Sequence, residues 1–197
     1  SPWIMGQWAL RDIERAVDLL NGYSSSLAGS ELNTGGRLPG PALYLVLATV
    51  ILPFKSIDGV FYLNIFLNIL SVAIISFSVM RHFSFMEAMV LALLLTVNAL
   101  HSQSATYVIN PSFMFVFVSI ALACTFEAYF KKKPLFYVLA ILVSVISTQL
   151  HLSGTCLLVP IGYLAIRSRT ISLRYLWVLI GGLTIVFLPF IAFQVIY

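Results

Sequence analysis

Predominantly apolar runs near 59–80, 84–100, 112–130, 135–150, 154–166 and 175–197 constrain this chain more than any other feature. Most have about the 17–25 residues that carry a helix across a bilayer. A helix suits lipid because its backbone hydrogen bonds close within the segment. Apolar residues make up 60% of the 197 and charged residues 9%, with a mean hydropathy of +1.01, whereas about a quarter of a soluble domain is charged. The sequence therefore predicts an all-α, polytopic transmembrane helical bundle with about six spanning helices over residues 59–197. A water-soluble domain is excluded.

Orientation follows from the loops. Arg81, then Lys131, Lys132 and Lys133, then Arg167, Arg169 and Arg174 fall on one side if the helices alternate from residue 59, and short Lys/Arg-bearing loops mark the cytoplasmic face. The opposite loops, near 100–112 and 150–154, contain no Lys or Arg and are expected to face outward. The net charge of +4 sits in such loops, so it speaks to orientation and not to nucleic acid. The run 41–54 is too short to span and has Pro at or near both ends; it reads as an interfacial or re-entrant helix. With it not crossing, residues 1–58 form an external region of a cell-membrane protein. The first seven residues lack a basic segment and an apolar stretch, so they are not read as a signal peptide. Because the chain opens on a polar loop and ends at Tyr197 inside an apolar run, spanning helices are expected beyond both ends.

In the external region Ile13, Ala16, Val17 and Leu20 recur on one helical face, and Asn21-Gly22 is a stop. Arg11, Asp12, Glu14, Arg15 and Asp18 make the polar side, with Trp3 and Trp8 suited to the headgroup level. A helix over 7–21 is expected to lie on the membrane surface with Asp12 turned away from it, into a cavity shared with the outer ends of the helices carrying His101 and His151. Ion pairs such as Asp12 with Arg15 account for the charges equally well. A proton acceptor for a hydroxyl at the bilayer surface is the functional alternative.

A loop rich in Gly and Pro follows, including Gly35-Gly36-Arg37-Leu38-Pro39-Gly40-Pro41. The surface-helix acid, the pattern Ala16-x-x-Leu19-Leu20-x-Gly22, this loop, and Gly40-Pro41-x-Leu43-Tyr44 together resemble the first external loop of the GT-C glycosyltransferases. The protein O-mannosyltransferases and the bacterial aminoarabinose lipid transferases are the nearest in kind. The resemblance implies a GT-C-like bundle and an inverting transfer of sugar from a polyprenyl-phosphate-type donor to a hydroxyl on an acceptor glycan, lipid or protein at the external face. It also implies that a loop acid is the catalytic base. Position relative to Leu19-Leu20-x-Gly22 makes Asp12 the first choice and Glu14 the second, in a chain with Asp12-Ile13-Glu14 where the family often has adjacent Asp-Glu. Arg11, Arg15, Arg37 or His151 would offset the charge developing on the lipid phosphate. No cofactor is implied, and no carboxylate cluster indicates a metal.

Polar residues at the outward ends complete the candidates. His101, Gln103, Tyr107 and Asn110 lie in the loop 100–112, where Pro111 as a helix start capped by Asn110 is the ordinary reading and sugar contact the functional one. Ser144, Ser147, Thr148 and His151 share one helical face. The hydroxyls read as packing positions. His151, beside Gln149 and Ser153, is either a phosphate- or acceptor-contacting group or a hydrogen-bonded histidine at headgroup level. Asn64, Asn68 and Ser71 read as interhelical hydrogen bonds, Glu87 and Glu127 as partners of nearby Arg81 and Lys131, and Cys124 and Cys156 as packing residues within spans. A transporter or lipid flippase would need intramembrane charges or broken helices in two matching halves, and neither is visible in the sequence. A non-catalytic membrane subunit is the third reading.

Overall fold

The structure is a computed structural model that describes residues 7–23, 28–30, 37–54, 56, 58–108, 110–169 and 171–196, without the side chains of residues 7–9, 110, 193 and 196. Trp3, Gly35, Gly36 and the side chains of Trp8 and Asn110 lie outside the described residues. Among those described, the chain is all-helical apart from two isolated bridge residues, Arg37 and Val108. The helices are α1 (Gln7–Leu20), α2 (Ala42–Phe54), α3 (Asp58–His82), α4 (Phe85–Val97), α5 (Ala99–Thr106), α6 (Asn110–Lys131), α7 (Pro134–Leu150), α8 (Leu158–Ser168) and α9 (Leu173–Ile196), with a 3₁₀ turn over Leu152–Leu157 between α7 and α8.

Three of these helices, α3, α6 and α9, are long and apolar enough to cross a membrane, and a fourth span results if α4 and α5 count together. The expectation of six spans is corrected by this count. The run near 84–100 fails as one straight helix because it breaks at Asn98, where α4 and α5 diverge by 61°. Asn98 leaves the helical region (φ −68°, ψ 121°), and its Oδ1 accepts the backbone N–H of His101 at 3.1 Å. That side chain starts a new helix instead of continuing the old one. Residues 101–106, expected in the outward loop near 100–112, therefore belong to α5. The run near 154–166 yields an α-helix of only 11 residues, about 17 Å at 1.5 Å per residue, because the chain first makes the 3₁₀ turn. Helix α7, with 17 residues, is about 26 Å long, against a hydrocarbon core of about 30 Å.

Helices α3 and α6 run parallel to each other. Val60 and Phe61 of α3 pack in one cluster with Phe113 of α6, and at the other end Arg81 Nη1 lies 3.1 Å from Glu127 Oε1. Glu127 also meets His82 at 3.2 Å and Lys131 at 2.7 Å. Arg81 thus pairs across helices with Glu127 and not with the expected Glu87. His82 stacks on Phe130 with ring centroids 4.9 Å apart. The opposite end of the bundle is closed by α1 and α2: Ile13, Ala16, Leu43, Tyr44 and Leu47 pack with Val108, Phe113 and Leu150. A second cluster, with Ala121, Ala128, Tyr137, Ala140, Ile161 and Ala165, holds α6, α7 and α8 together. Small residues there let backbones approach closely.

Candidate functional site

Helix α1 docks by a face turned about one residue from the expected one. Ile13 and Ala16 are buried, but Leu20 is exposed and the third buried position is Asp12, which is 0% accessible. The expectation that Asp12 opens into a cavity is therefore corrected. Two short segments of the following loop cover it. Gly29 N–H donates to Leu38 O at 2.9 Å and Leu38 N–H to Ser30 O at 2.9 Å, so residues 28–30 and 37–40 lie side by side. This places Ser30 over α1, where its hydroxyl donates to Asp12 Oδ2 at 2.8 Å.

The other carboxylate oxygen faces Arg11 Nη2 at 3.2 Å and the Tyr44 hydroxyl at 3.5 Å. Arg15 Nη1 in turn reaches Tyr44 OH at 3.5 Å. An enclosed carboxylate carries a desolvation penalty of several kcal/mol unless it is paired and hydrogen-bonded; these donors supply the pairing. Glu14 points outward and is exposed. Arg37 is half-buried at the start of the second loop segment. Sequence reasoning quoted Tyr44 as part of a pattern without giving it a contact, and Ser30 escaped it because a lone serine in a polar loop carries no spacing signal.

Gly40 explains the Gly-Pro of that pattern. Its φ is +124°, and a Cβ there would sit 2.4–2.5 Å from the amide of Gln149. Gln149 is buried, and its Nε2 donates to Val186 O of α9 at 2.9 Å. That carbonyl is one residue on from Ile185, whose carbonyl loses its helical donor to Pro189. Gln149 thus ties α7 to the bend-prone part of α9 and seats the loop.

The remaining candidates form separate sites. His101 is buried, its Nε2 lies 3.2 Å from Ser71 Oγ, and its ring meets Phe115 edge-on at 5.1 Å. Ser71 Oγ donates to Asn68 O at 2.7 Å, which leaves His101 Nε2 as the donor of the pair. Gln103 is exposed on α5, and Tyr107 is half-buried with its carbonyl accepting Ser112 Oγ at 2.7 Å. Asn64 Nδ2 faces the carbonyls of Ser104, Ala105 and Tyr107 at 2.9, 3.0 and 3.3 Å and so satisfies the C-terminal end of α5. His151 Nδ1 accepts the N–H of Ser153 at 3.3 Å and lies 2.8 Å from its hydroxyl, so it caps the 3₁₀ turn. Ser144, Ser147 and Thr148 are buried and bond back to carbonyls of their own helix, as packing hydroxyls do. Cys124 is half-buried beside the second cluster, and Cys156 is exposed in the 3₁₀ turn. Among the described residues no group of three or more His, Cys, Asp or Glu side chains is placed to hold a metal ion.

Comparison of the chain with protein-family models, with curated proteins and with solved structures gives no match. The class is set by the fold: among the described residues the chain is helical, with three, or up to four, helices long and apolar enough to cross a membrane.

Proposed function

We propose that this chain belongs to a membrane glycosyltransferase that moves a sugar from a polyprenyl-phosphate-type donor to an acceptor hydroxyl, with the base carried on α1. The observation that carries the reading is a hydroxyl, that of Ser30, held 2.8 Å from the enclosed carboxylate of Asp12 with a guanidinium on the other oxygen. A general base needs this distance to the proton it removes. Ser30 occupies the place an acceptor hydroxyl would take once the segment 28–30 lifts. The acceptor oxygen then attacks the anomeric carbon as its proton passes to Asp12. The bond from that carbon to the phosphate oxygen breaks with inversion, and the electron pair leaves on the lipid phosphate. Arg11 beside the carboxylate and Arg15 against the neighbouring Tyr44 hydroxyl would offset that charge. Glu14, exposed on the same helix, is the alternative base and needs no such lifting.

Placement supports the reading as well. Helix α1 closes the end of the bundle opposite the Arg81, Glu127 and Lys131 cluster, and Lys/Arg-bearing ends are cytoplasmic by the positive-inside rule. The purified full-length protein in lipid nanodiscs, given polyprenyl-phosphate sugars and a hydroxyl acceptor, is expected to release polyprenyl phosphate in proportion to sugar transferred. Donors left intact across a panel of sugars and acceptors would remove the transferase reading.

A transporter or lipid flippase is the second reading, favoured by one observation: the 61° break at Asn98. Sequence reasoning saw no broken helix, and that is corrected here. Transport folds of this kind place such breaks in both halves. Flux of labelled lipid or sugar across proteoliposomes without chemical change would favour this reading over transfer.

A further inference from the structure

The end of the bundle that carries Arg81 and Lys131 holds a groove with a charged rim and an apolar interior. On α3, Ile74, Phe77, Ser78 and Arg81 line it; their i, i+3, i+4, i+7 spacing puts them on one helical face. Ala123, Cys124 and Glu127 of α6 line it from the other side, with Phe136 of α7. The charges stand at the helix ends, whereas Ile74 lies about 10 Å deeper along α3 than Arg81. Phe77 is 59% exposed, so the groove opens where lipid would be. Its volume of about 240 Å³ is below that of drug-sized pockets and suits part of a longer molecule.

The charges at the rim do not cancel. Glu127 is the one carboxylate of the lining, and Arg81, Lys131 and His82 share it at 3.1, 2.7 and 3.2 Å. Arg81 and Lys131 against a single carboxylate leave an excess of positive charge even with His82 neutral. Lys132 and Lys133 follow, both exposed. Glu87, the other acid of this end, lies outside the lining. A guanidinium has five N–H donors in a fork that fits a phosphate. That of Arg81 meets only Glu127 among the described residues, through Nη1, and its side chain is 52% exposed.

A free anion would use the rim and none of the apolar wall, and a neutral lipid would use the wall and none of the charge. We infer that the groove binds an anionic phospholipid of the adjoining leaflet, its phosphate on Arg81 and one acyl chain running past Phe77 and Ile74 between α3 and α6. Charge-assisted contact of a guanidinium with a phosphate oxygen is among the stronger hydrogen bonds, and the excess charge favours an anionic lipid over a zwitterionic one. The site lies at the end of the bundle opposite Asp12 and does not rest on the transferase reading.

The test is photolabelling of the full-length protein in phosphatidylcholine nanodiscs that contain a small fraction of phosphatidylglycerol with a diazirine part way down one acyl chain. Label is expected within 74–78 and 120–127. Unlabelled phosphatidylglycerol should displace it, and glycerol 3-phosphate, which has the phosphate without the chains, should not. Arg81→Gln should cut the labelling about tenfold, the effect of one hydrogen bond between charged groups. Glu127→Gln frees Arg81 and Lys131 from their shared partner and should raise the labelling, whereas damage to the fold would lower it in both variants. Lys133→Gln, outside the lining, should cost less than Arg81→Gln. Should Arg81→Gln not fold, the displacement series and the site of labelling on the unaltered protein decide. Equal labelling by phosphatidylcholine with the same diazirine, displacement by glycerol 3-phosphate, a loss in Lys133→Gln as large as in Arg81→Gln, or a loss in folded Glu127→Gln would overturn the inference.

Discussion

Gly40→Ala is expected to destabilise the protein by more than Gly22→Ala, the other positive-φ glycine near the loop. The conformation at φ +124° costs a side-chain-bearing residue about 1–3 kcal/mol. The new Cβ would meet the Gln149 amide at 2.4–2.5 Å, so that amide must swing away from Val186 O, to which it now donates at 2.9 Å. Losing a buried hydrogen bond and leaving a polar group unpaired adds about 1–3 kcal/mol. The sum, about 2–5 kcal/mol, corresponds to a fall of roughly 5–20 °C in the thermal midpoint for a chain of this size. Two further glycines calibrate the measurement in detergent. Gly22, with φ +74° and open space around it, should show only the backbone cost of about 1–2 kcal/mol. Gly162, helical and with nothing within 4 Å, should become more stable by about 0.5–1 kcal/mol as Ala. If Gly40→Ala loses no more than Gly22→Ala, the contact between the loop and Gln149 is absent and the account of how the loop is seated fails.

Asn64→Ala should cost about 1–3 kcal/mol, because it strips the donor from the last carbonyls of α5; unchanged stability in an SDS titration would contradict that bonding. Glu127→Gln leaves Arg81, His82 and Lys131 without their common partner and should cost about 1–3 kcal/mol. A loss that does not shrink in high salt would argue against a charge effect. An impermeant maleimide applied to intact cells should label a cysteine replacing Ser26 and not one replacing Lys132. The reverse pattern would invert the orientation.

Sequence patterns located the elements better than they oriented them. Apolar periodicity placed helices at 7–21 and 41–54, where the structure has Gln7–Leu20 and Ala42–Phe54, because length and stop signals act locally. Hydropathy could not reveal the break at Asn98, since the apolar run near 84–100 passes through it and the cause is one side chain capping His101 N–H. It likewise counted 154–166 as a span without registering that Leu152–Leu157 is a 3₁₀ turn. The buried face of α1 was misjudged for a different reason. A carboxylate counts as polar in any periodicity, yet Asp12 is enclosed because Ser30, 18 residues away, and Tyr44, 32 residues away, bring hydroxyls to it beside Arg11. Such a pairing exists only after the loop folds back. The interhelical role of Asn64, by contrast, was legible, since an amide in an apolar helix has few other uses.

The central claim is that α1 carries the base of a sugar transfer, and the direct measurement is turnover of lipid-linked donor by Asp12→Asn and Glu14→Gln variants of the full-length protein, with donor affinity measured alongside. A general base contributes about 10²- to 10⁴-fold in rate. The account predicts that Asp12→Asn loses turnover by that factor while donor affinity stays nearly unchanged, and that Glu14→Gln stays active. Normal turnover in Asp12→Asn with none in Glu14→Gln would move the base to the exposed carboxylate, and normal turnover in both would contradict the claim outright.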